Sequence, residues 1–275
     1  MQEFEIIQNF DFQSIQGFPM NAAKVSIIMP CYNQAAYLEE AVHSVLESQY
    51  EHLEIIIVDD GSKDASFKIA QELGEKSPDK IKAITQKNQG PAQARNAGIH
   101  VASGKYILPL DGDDKINRDY ITEAVKILES DPNVKVVYCE AEKFGEKTGP
   151  WKLKPFSLRA LALDNMVFVS AMYRKSDWEK CGGYDKRMTW GWEDWEFWMN
   201  MLKTGGEVVK LPITGFYYRI RKGSRRKTTN KEAKQKTIDL INDKHADFLK
   251  AHLGGPLRNP RSWSKEINRV YNLFK

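Results

Sequence analysis

The strongest constraint on this chain is an alternation. Between Lys24 and Cys139, short apolar runs recur between amphipathic stretches. Val25–Met29 reads as a buried strand stopping at Pro30. Leu53–Val58, Ile81–Thr85, Tyr106–Leu110 and Val134–Cys139 read as four more. Between the first two, Leu38, Ala41, Val42, Val45 and Leu46 fall on one helical face. Ala65–Leu73 follows Ser62 or Asp64 as a cap, Pro91–Ala102 has proline in its first turn, and Arg118–Ser130 is amphipathic. Strands alternating with helices predict an α/β fold, a mostly parallel sheet with helices on both faces. Ligands of such sheets sit outside the carboxyl ends of the strands. Three strand ends here are polar: Cys31-Tyr32-Asn33, Asp59-Asp60-Gly61-Ser62 and Asp111-Gly112-Asp113-Asp114.

Beyond about residue 145 the alternation weakens. Leu158–Asn165 reads as a helix and Met166–Tyr173 as a strand. A Trp-rich helix starts near Glu193, and Glu207–Leu211 and Gly215–Arg221 read as two late strands. Two helices, about Lys231–Leu253 and Ser262–Phe274, close the chain. The expected organisation is an N-terminal extension over 1–23, a main domain over 24–226 and a basic helical extension over 227–275. The main domain divides into a nucleotide-binding half, about 24–114, and an acceptor half, about 115–226.

Charge is unevenly spread. The net charge is +4, yet Tyr217–Lys275 holds 16 Lys/Arg against 5 Asp/Glu, which leaves the rest acidic. A basic tail suits an anionic ligand, an acidic partner or an anionic membrane; it equally suits a solvated helical tail. Three widely spaced cysteines, Cys31, Cys139 and Cys181, argue against a disulfide framework or a zinc site and fit a reducing, cytoplasmic setting. No signal-peptide pattern opens the sequence, and no apolar run reaches the roughly 20 residues that cross a bilayer. Peripheral attachment at the inner membrane face through the basic C-terminal segment stays open.

Asp111, Asp113 and Asp114 suit a divalent metal that bridges carboxylates and a diphosphate; Asp-Gly is also ordinary turn chemistry. Of Asp59 and Asp60, one can cap the next helix, which leaves the other to accept hydrogen bonds from a base or ribose. Glu193 and Asp194, beside Trp192, fall in the first turn of the Trp-rich helix. Either is a helix-dipole partner or a general base for an acceptor hydroxyl. Arg219 and Arg221 belong to a basic run through Lys227. That run reads as a lid over a diphosphate, an anionic-acceptor or nucleic-acid contact, or a solvated loop.

Seven blocks together resemble the inverting glycosyltransferases of family 2. They are VSIIMPCYNQAAYLEEAVHSVL (25–46), IIIVDDGSKD (55–64), NQGPAQARNAGI (88–99), YILPLDGDD (106–114), GGYD (182–185), GWEDWE (191–196) and YYRIRKGS (217–224). The resemblance implies a GT-A fold and a nucleotide-diphosphate sugar donor, with UDP the expected nucleotide. It also implies a divalent metal, Mn or Mg, and a glycan or lipid-linked glycan acceptor in cell-surface polysaccharide synthesis, with no nucleic-acid partner. Carried over by position, Pro30 and Tyr32 line the nucleotide pocket and Asp60 binds the base. Arg95 lies near the nucleotide, Asp111 reaches the ribose or sugar, Asp113 binds the metal and Asp194 is the catalytic base. Glu193, Trp192, Arg219 and Arg221 are then candidate diphosphate or acceptor contacts. The sequence departs from the family pattern at Arg221, where many relatives carry a histidine. Arginine stays protonated and is no metal ligand, so a direct phosphate contact is expected there.

Two other readings compete. A sugar-nucleotide nucleotidyltransferase needs a glycine-rich basic loop after the first strand, and Cys31-Tyr32-Asn33-Gln34 has neither glycine nor Lys/Arg. A non-catalytic binding protein using the basic tail leaves the strand-end carboxylates and residues 191–196 unexplained.

Overall fold

A computed structural model describes residues 23–189, 191–222, 231–260 and 262–273. Residues 1–22, most of the expected N-terminal extension, and 223–230, which hold the end of the basic run, lie outside the described residues. So does Phe274, the expected end of the last helix.

The first half is built as the alternation predicts. Strands β1 (Val25–Cys31), β2 (Leu53–Asp59), β3 (Ile81–Thr85) and β4 (Tyr106–Pro109) are linked by helices α1 (Leu38–Leu46), α2 (Ser66–Lys76) and α3 (Pro91–Val101). All four strands run parallel, β1 pairing with both β2 and β4. They are apolar because the sheet is covered on both faces: Val25, Ile27, Ile28 and Met29 are fully buried in β1, and Ile55, Ile57 and Val58 in β2. Helix α3 lies very close to the sheet at Gly98. A β-carbon there would stand 2.6 Å from Ile28 Cγ2 and 2.9 Å from Val58 Cγ2, so only glycine fits.

The second half adds β5 (Lys115–Ile116), α4 (Tyr120–Ser130), β6 (Val134–Gly145), β7 (Gly149–Pro150), α5 (Leu158–Leu163), β8 (Met172–Arg174) and α6 (Lys175–Cys181). Then come α7 (Glu193–Leu202), β9 (Glu207–Ile220), α8 (Lys231–Lys244), α9 (Ala246–Leu253) and α10 (Ser264–Asn272). The strand order is β3-β2-β1-β4-β8-β6-β9-β5, with β7 beside β6. Strand β8 is antiparallel to both β4 and β6, while β6 and β9 are parallel. The order reverses between β1 and β4. Successive connections move outward from β1 to β3, and the next returns to β1's other side. That reversal opens a crevice beyond the carboxyl ends of β1 and β4, the usual ligand position in an open α/β sheet.

Three elements differ from the sequence reading, each for a local reason. The strand expected over Met166–Tyr173 shrinks to Met172–Arg174. Side chains take carbonyls of the earlier part: Trp198 Nε1 donates to Val167 O (3.0 Å) and Tyr120 Oη to Ser170 O (2.7 Å). The two late strands are one, β9. Its register slips against β6 around Glu140, so Pro212 sits in a bulge rather than between strands. The long helix expected over Lys231–Leu253 breaks at His245, which caps α9 with φ −122° and is wholly buried. The three cysteines are free; burial pushes the Cys31 thiol up to about 12. Among the described residues no helix is long and apolar enough to cross a membrane.

Candidate active site

The crevice begins with residues that shape backbone. Pro30 is buried inside β1 and its carbonyl accepts from Gly112 N (3.3 Å); Tyr32, just past the strand, is 43% exposed. Gly112 lies close to this turn: a β-carbon there would stand 2.7 Å from the end of the Gln34 side chain and 3.5 Å from the Pro30 carbonyl. The strand-end turn after β4 is thereby pressed against the turn after β1.

Asp60 departs from the expectation of a free acceptor. It is 3% exposed and already accepts three hydrogen bonds from the loop ahead of α3. Gln86 Nε2 (2.7 Å) and Gln89 N (2.9 Å) reach Oδ1, and Gly90 N (2.8 Å) reaches Oδ2. Asp59 accepts from Ser62 N and Thr85 Oγ1. The helix-start role falls to Asp64, which accepts from Ser66 N (3.0 Å).

Arg95, on α3, is a buried bridge. Its guanidinium is 2% exposed and donates through Nη2 to Asp111 Oδ1 (2.6 Å) and through Nη1 to Glu193 Oε1 (2.8 Å). One cation thus ties the strand-end carboxylate to the first turn of α7. Asn96, its neighbour, donates to Tyr184 O (2.8 Å) and accepts from Tyr184 N (3.0 Å) and Trp178 Nε1 (3.2 Å). Tyr184 stacks on Phe197 of α7, with centroids 4.1 Å apart. The 88–99 and 182–185 blocks are therefore one structural unit.

Asp194 follows Glu193 on α7. It is partly buried, with Oδ2 accepting from Asn165 Nδ2 (2.7 Å) and Oδ1 from Trp195 N (2.9 Å). Burial first, then the charge of Glu193, push its carboxyl up to about 7, against the pull of Arg95 and these hydrogen bonds. A carboxylate tuned to neutral pH is suited to proton transfer. Trp192, ahead of the helix, adopts φ 64° and ψ 21°, a left-handed conformation costly for a bulky residue. Its ring meets Trp195 edge-on at 5.7 Å.

The remaining aspartates face β9. Arg221 Nε donates to Asp113 Oδ2 at 2.5 Å. Arg219 Nε donates to the Asp113 carbonyl (2.8 Å), and its backbone N to Asp114 Oδ1 (2.8 Å). Arg219 also pairs with Glu40 and stacks on Tyr37 and Phe144, 4.7 and 4.2 Å from the ring centres. Asp114 is 1% exposed, and among the described residues its Oδ2 has no hydrogen-bond partner. Burial, with Asp113 and Asp111 close by, holds its carboxyl well above the ordinary range. Asp111 is raised by burial and Asp113 despite Arg95. Four carboxyls, Asp111, Asp113, Asp114 and Glu193, thus meet three arginines, Arg95, Arg219 and Arg221. Among the described residues no three His, Cys, Asp or Glu side chains form a metal cage. Clustered carboxyl oxygens without a closed cage fit a hard cation that takes one or two carboxylates and completes its shell from phosphate.

The structure thus joins Arg95, Asp111 and Glu193 in one network, with Asp194 next to Glu193, and pairs Asp113 with Arg221. Asp60 lies apart, occupied by its own loop. Sequence reasoning missed Glu40, Asn96, Asn165 and the anchor behind α7. There Glu196, wholly buried, meets His245 Nε2 (2.7 Å) and Lys244 Nζ (2.8 Å) from the α8–α9 junction. Lys244 also reaches Asp185 (3.1 Å). Asn96 sits inside a quoted block and could have been found there; the polar type of Asn165 and His245 carries no such signal.

A model of glycosyl transferase family 2 matches residues 26–188, more than half of the chain. The chain belongs to glycosyl transferase family 2. A second model, described as the N-terminal domain of galactosyltransferase, matches residues 168–223, the part carrying α7 and β9. Among family members, glycosyltransferase GlyA of Streptococcus pneumoniae serotype 4 is 28% identical over 253 residues, 85% of this chain and 36% of GlyA. TuaG of Bacillus subtilis, a putative teichuronic acid biosynthesis glycosyltransferase, is 40% identical over 105 residues, 38% of this chain and 41% of TuaG. The chain spans less than half the length of these curated relatives. Two solved structures share the fold. TarS 1–349 of S. aureus, in complex with UDP-GlcNAc, superposes with a TM-score of 0.69 at 20% identity, over 84% of this chain and 73% of that one. The mannosyltransferase PcManGT of Pyrobaculum calidifontis, with GDP-Man and Mn2+, gives 0.63 at 21% identity, over 94% and 76%. This family 2 chain therefore has the mixed α/β sheet of GT-A glycosyltransferases.

Proposed function

We propose that the chain is an inverting glycosyltransferase that moves a sugar from a nucleotide-diphosphate donor to an acceptor hydroxyl. The observation that carries the reading is Asp194: a partly buried carboxyl raised to about 7, fixed by Asn165, beside a Glu193 tied through Arg95 to the strand-end Asp111. In this reading Asp194 removes the acceptor proton as the hydroxyl oxygen attacks the anomeric carbon. The bond to the diphosphate breaks on the opposite side, and one displacement inverts the configuration. Arg95 orients both flanks of the cleft.

Asp113, with Asp111 beside it, would hold Mn or Mg, which supplies charge neutralisation to the diphosphate when bound. Asp114 Oδ2, without a partner among the described residues, supports that role. Arg221 would leave Asp113 and pair with phosphate oxygens instead, its fork suiting them. Pro30 and Tyr32 would flank the base. Asp60 would serve it through the loop it organises, three of whose donors it already accepts. UDP is the expected nucleotide, since TarS was solved with UDP-GlcNAc; PcManGT with GDP-Man makes GDP the alternative to test. The acceptor would be a glycan or lipid-linked glycan of the cell surface, as the description of TuaG suggests.

A panel of UDP- and GDP-sugars, each with Mn2+, tests the reading by thermal shift and slow donor hydrolysis. One donor should raise the melting temperature in proportion to its affinity and release its nucleotide. A panel that neither shifts nor hydrolyses would remove the glycosyltransferase reading.

A further inference from the structure

The helices that follow β9 reach back to the helix that carries Asp194. Glu196 of α7 and His245 at the α8–α9 junction are 0% and 1% exposed. Glu196 Oε1 meets His245 Nε2 (2.7 Å) and accepts from Lys244 Nζ (2.8 Å). Lys244 Nζ also donates to Asp185 Oδ2 (3.1 Å). Asp185 follows Tyr184, whose ring stacks on Phe197 of α7. One ammonium group thus joins α7 to the 182–185 turn. The junction that presents Lys244 and His245 is itself pinned. Asn242 Nδ2 donates to Leu257 O and Leu257 N donates to Asn242 Oδ1, both at 2.8 Å.

Stability alone does not account for Glu196. Taking a carboxylate out of water is costly, and an apolar residue at 196 would pack α7 without that cost. What Glu196 adds is direction. Glu193 and Glu196 stand three residues apart, on one side of the helix. Arg95 of α3 holds the first at 2.8 Å, and Lys244 with His245 holds the second. Two directed contacts along one side fix the rotation of α7 about its axis. Asp194 lies between them in sequence and points elsewhere, to Asn165 Nδ2 at 2.7 Å. A rotation of α7 that broke the Glu196 contacts would therefore carry Asp194 off Asn165.

We infer that Lys244 and His245 are positioning residues for Asp194, fixing the rotation of α7 through Glu196. The inference rests on the reading of Asp194 as the base, which the activity of Asp194→Asn tests separately. Its own test needs no substrate. The Asp194 carboxyl is titrated in the full, unliganded chain by carbon NMR with labelled aspartate, its signal assigned by its loss in Asp194→Asn. Replacing Glu196→Met and Lys244→Met together removes one formal charge of each sign. Glu193, Arg95 and Tyr184, the ionisable neighbours of Asp194, are left unchanged. Buried ion pairs exchanged for apolar residues of similar volume commonly keep the fold. The Asp194 midpoint, about 7 in the parent, should fall by roughly one unit or more as the loosened first turn admits water. Asp185→Asn with Lys244→Met, also neutral overall, leaves Glu196 to His245 and should lower the midpoint by about half as much. This second variant carries the test if the first does not fold. A brace that served stability alone would lower the melting temperature without moving the midpoint. An unmoved midpoint in the folded variant would overturn the inference, whatever its melting temperature. Full activity in Asp194→Asn would instead remove the reading on which the inference rests.

Discussion

Asp60 and Asp113 both belong to acidic runs at the carboxyl edge of one sheet, yet the protein treats them differently. Asp60 is nearly closed: it is 3% exposed and three donors from its own loop reach its two oxygens. The cluster around Asp113 is less settled: Arg95, Arg219 and Arg221 meet three aspartates and Glu193, Asp114 Oδ2 has no partner among the described residues, and Asp111 and Asp114 are both pushed upward. A carboxylate satisfied by backbone donors builds a loop. A cluster of carboxyls with an unpartnered oxygen suits the divalent cation proposed above. Asp194 belongs with that cluster, being raised by burial and by Glu193 despite its hydrogen bonds from Asn165 and Trp195.

Asp194 carries the largest expected effect. Asp194→Asn should lower transfer by about 10²–10⁴-fold, the range for a lost general base, while nucleotide binding stays intact. In the parent enzyme, the rate under subsaturating substrate should rise with pH and level off above about 7, as the carboxyl ionises. A variant with full activity, or a pH profile flat through neutrality, would place the base elsewhere.

Arg95 joins the two sides of the cleft, and its loss should cost stability. Arg95→Met leaves Asp111 and Glu193 facing one another without their cation, which should cost about 3–5 kcal/mol in urea unfolding. Asp60→Ala should cost less, about 1–3 kcal/mol, because it strands buried donors without stranding a charge. If Asp60→Ala abolished nucleotide binding but left stability unchanged, the closed-site account of Asp60 would fail.

Much of this was legible in the sequence, and the failures have physical reasons. The parallel half reads directly because each strand is buried on both faces and each helix shows its apolar stripe, as in Val25–Met29 and Leu38–Val45. Polar strand ends locate the crevice because the strand order reverses beside β1, although the order itself is not written in any local pattern. Beyond Met166 the signal fades because side chains such as Trp198 and Tyr120 take carbonyls that a strand would otherwise use. His245 breaks a helix through a partner, Glu196, 49 residues away. At the site, residue types named the carboxylates but not their state. That both Asp60 oxygens accept hydrogen bonds and, among the described residues, one Asp114 oxygen does not depends on donors from Gln86, Gly90 and Arg219, whose positions only the fold supplies.

Asp114 sharpens the comparison with the smallest effect. Its folded-state carboxyl is raised, so the folded protein holds a proton that the unfolded chain gives up at ordinary carboxylate pH. The stability this provides is full at acid pH and is lost as pH rises toward the raised value. Asp114→Asn keeps an acceptor for Arg219 N and has no charge to desolvate. Its melting temperature should therefore gain on the parent's as pH goes from about 4 to 8. A constant gap across that range would mean Asp114 is not strained by its neighbours.

The most direct test of the aspartate cluster is calorimetric titration of the unliganded protein with UDP and with GDP, in Mn2+ and again in EDTA. The account predicts that one nucleotide binds with Mn2+ and that binding weakens sharply in EDTA or in Asp113→Asn. Equal affinity with and without metal would contradict it, since Arg221 and its neighbours would then hold the diphosphate unaided.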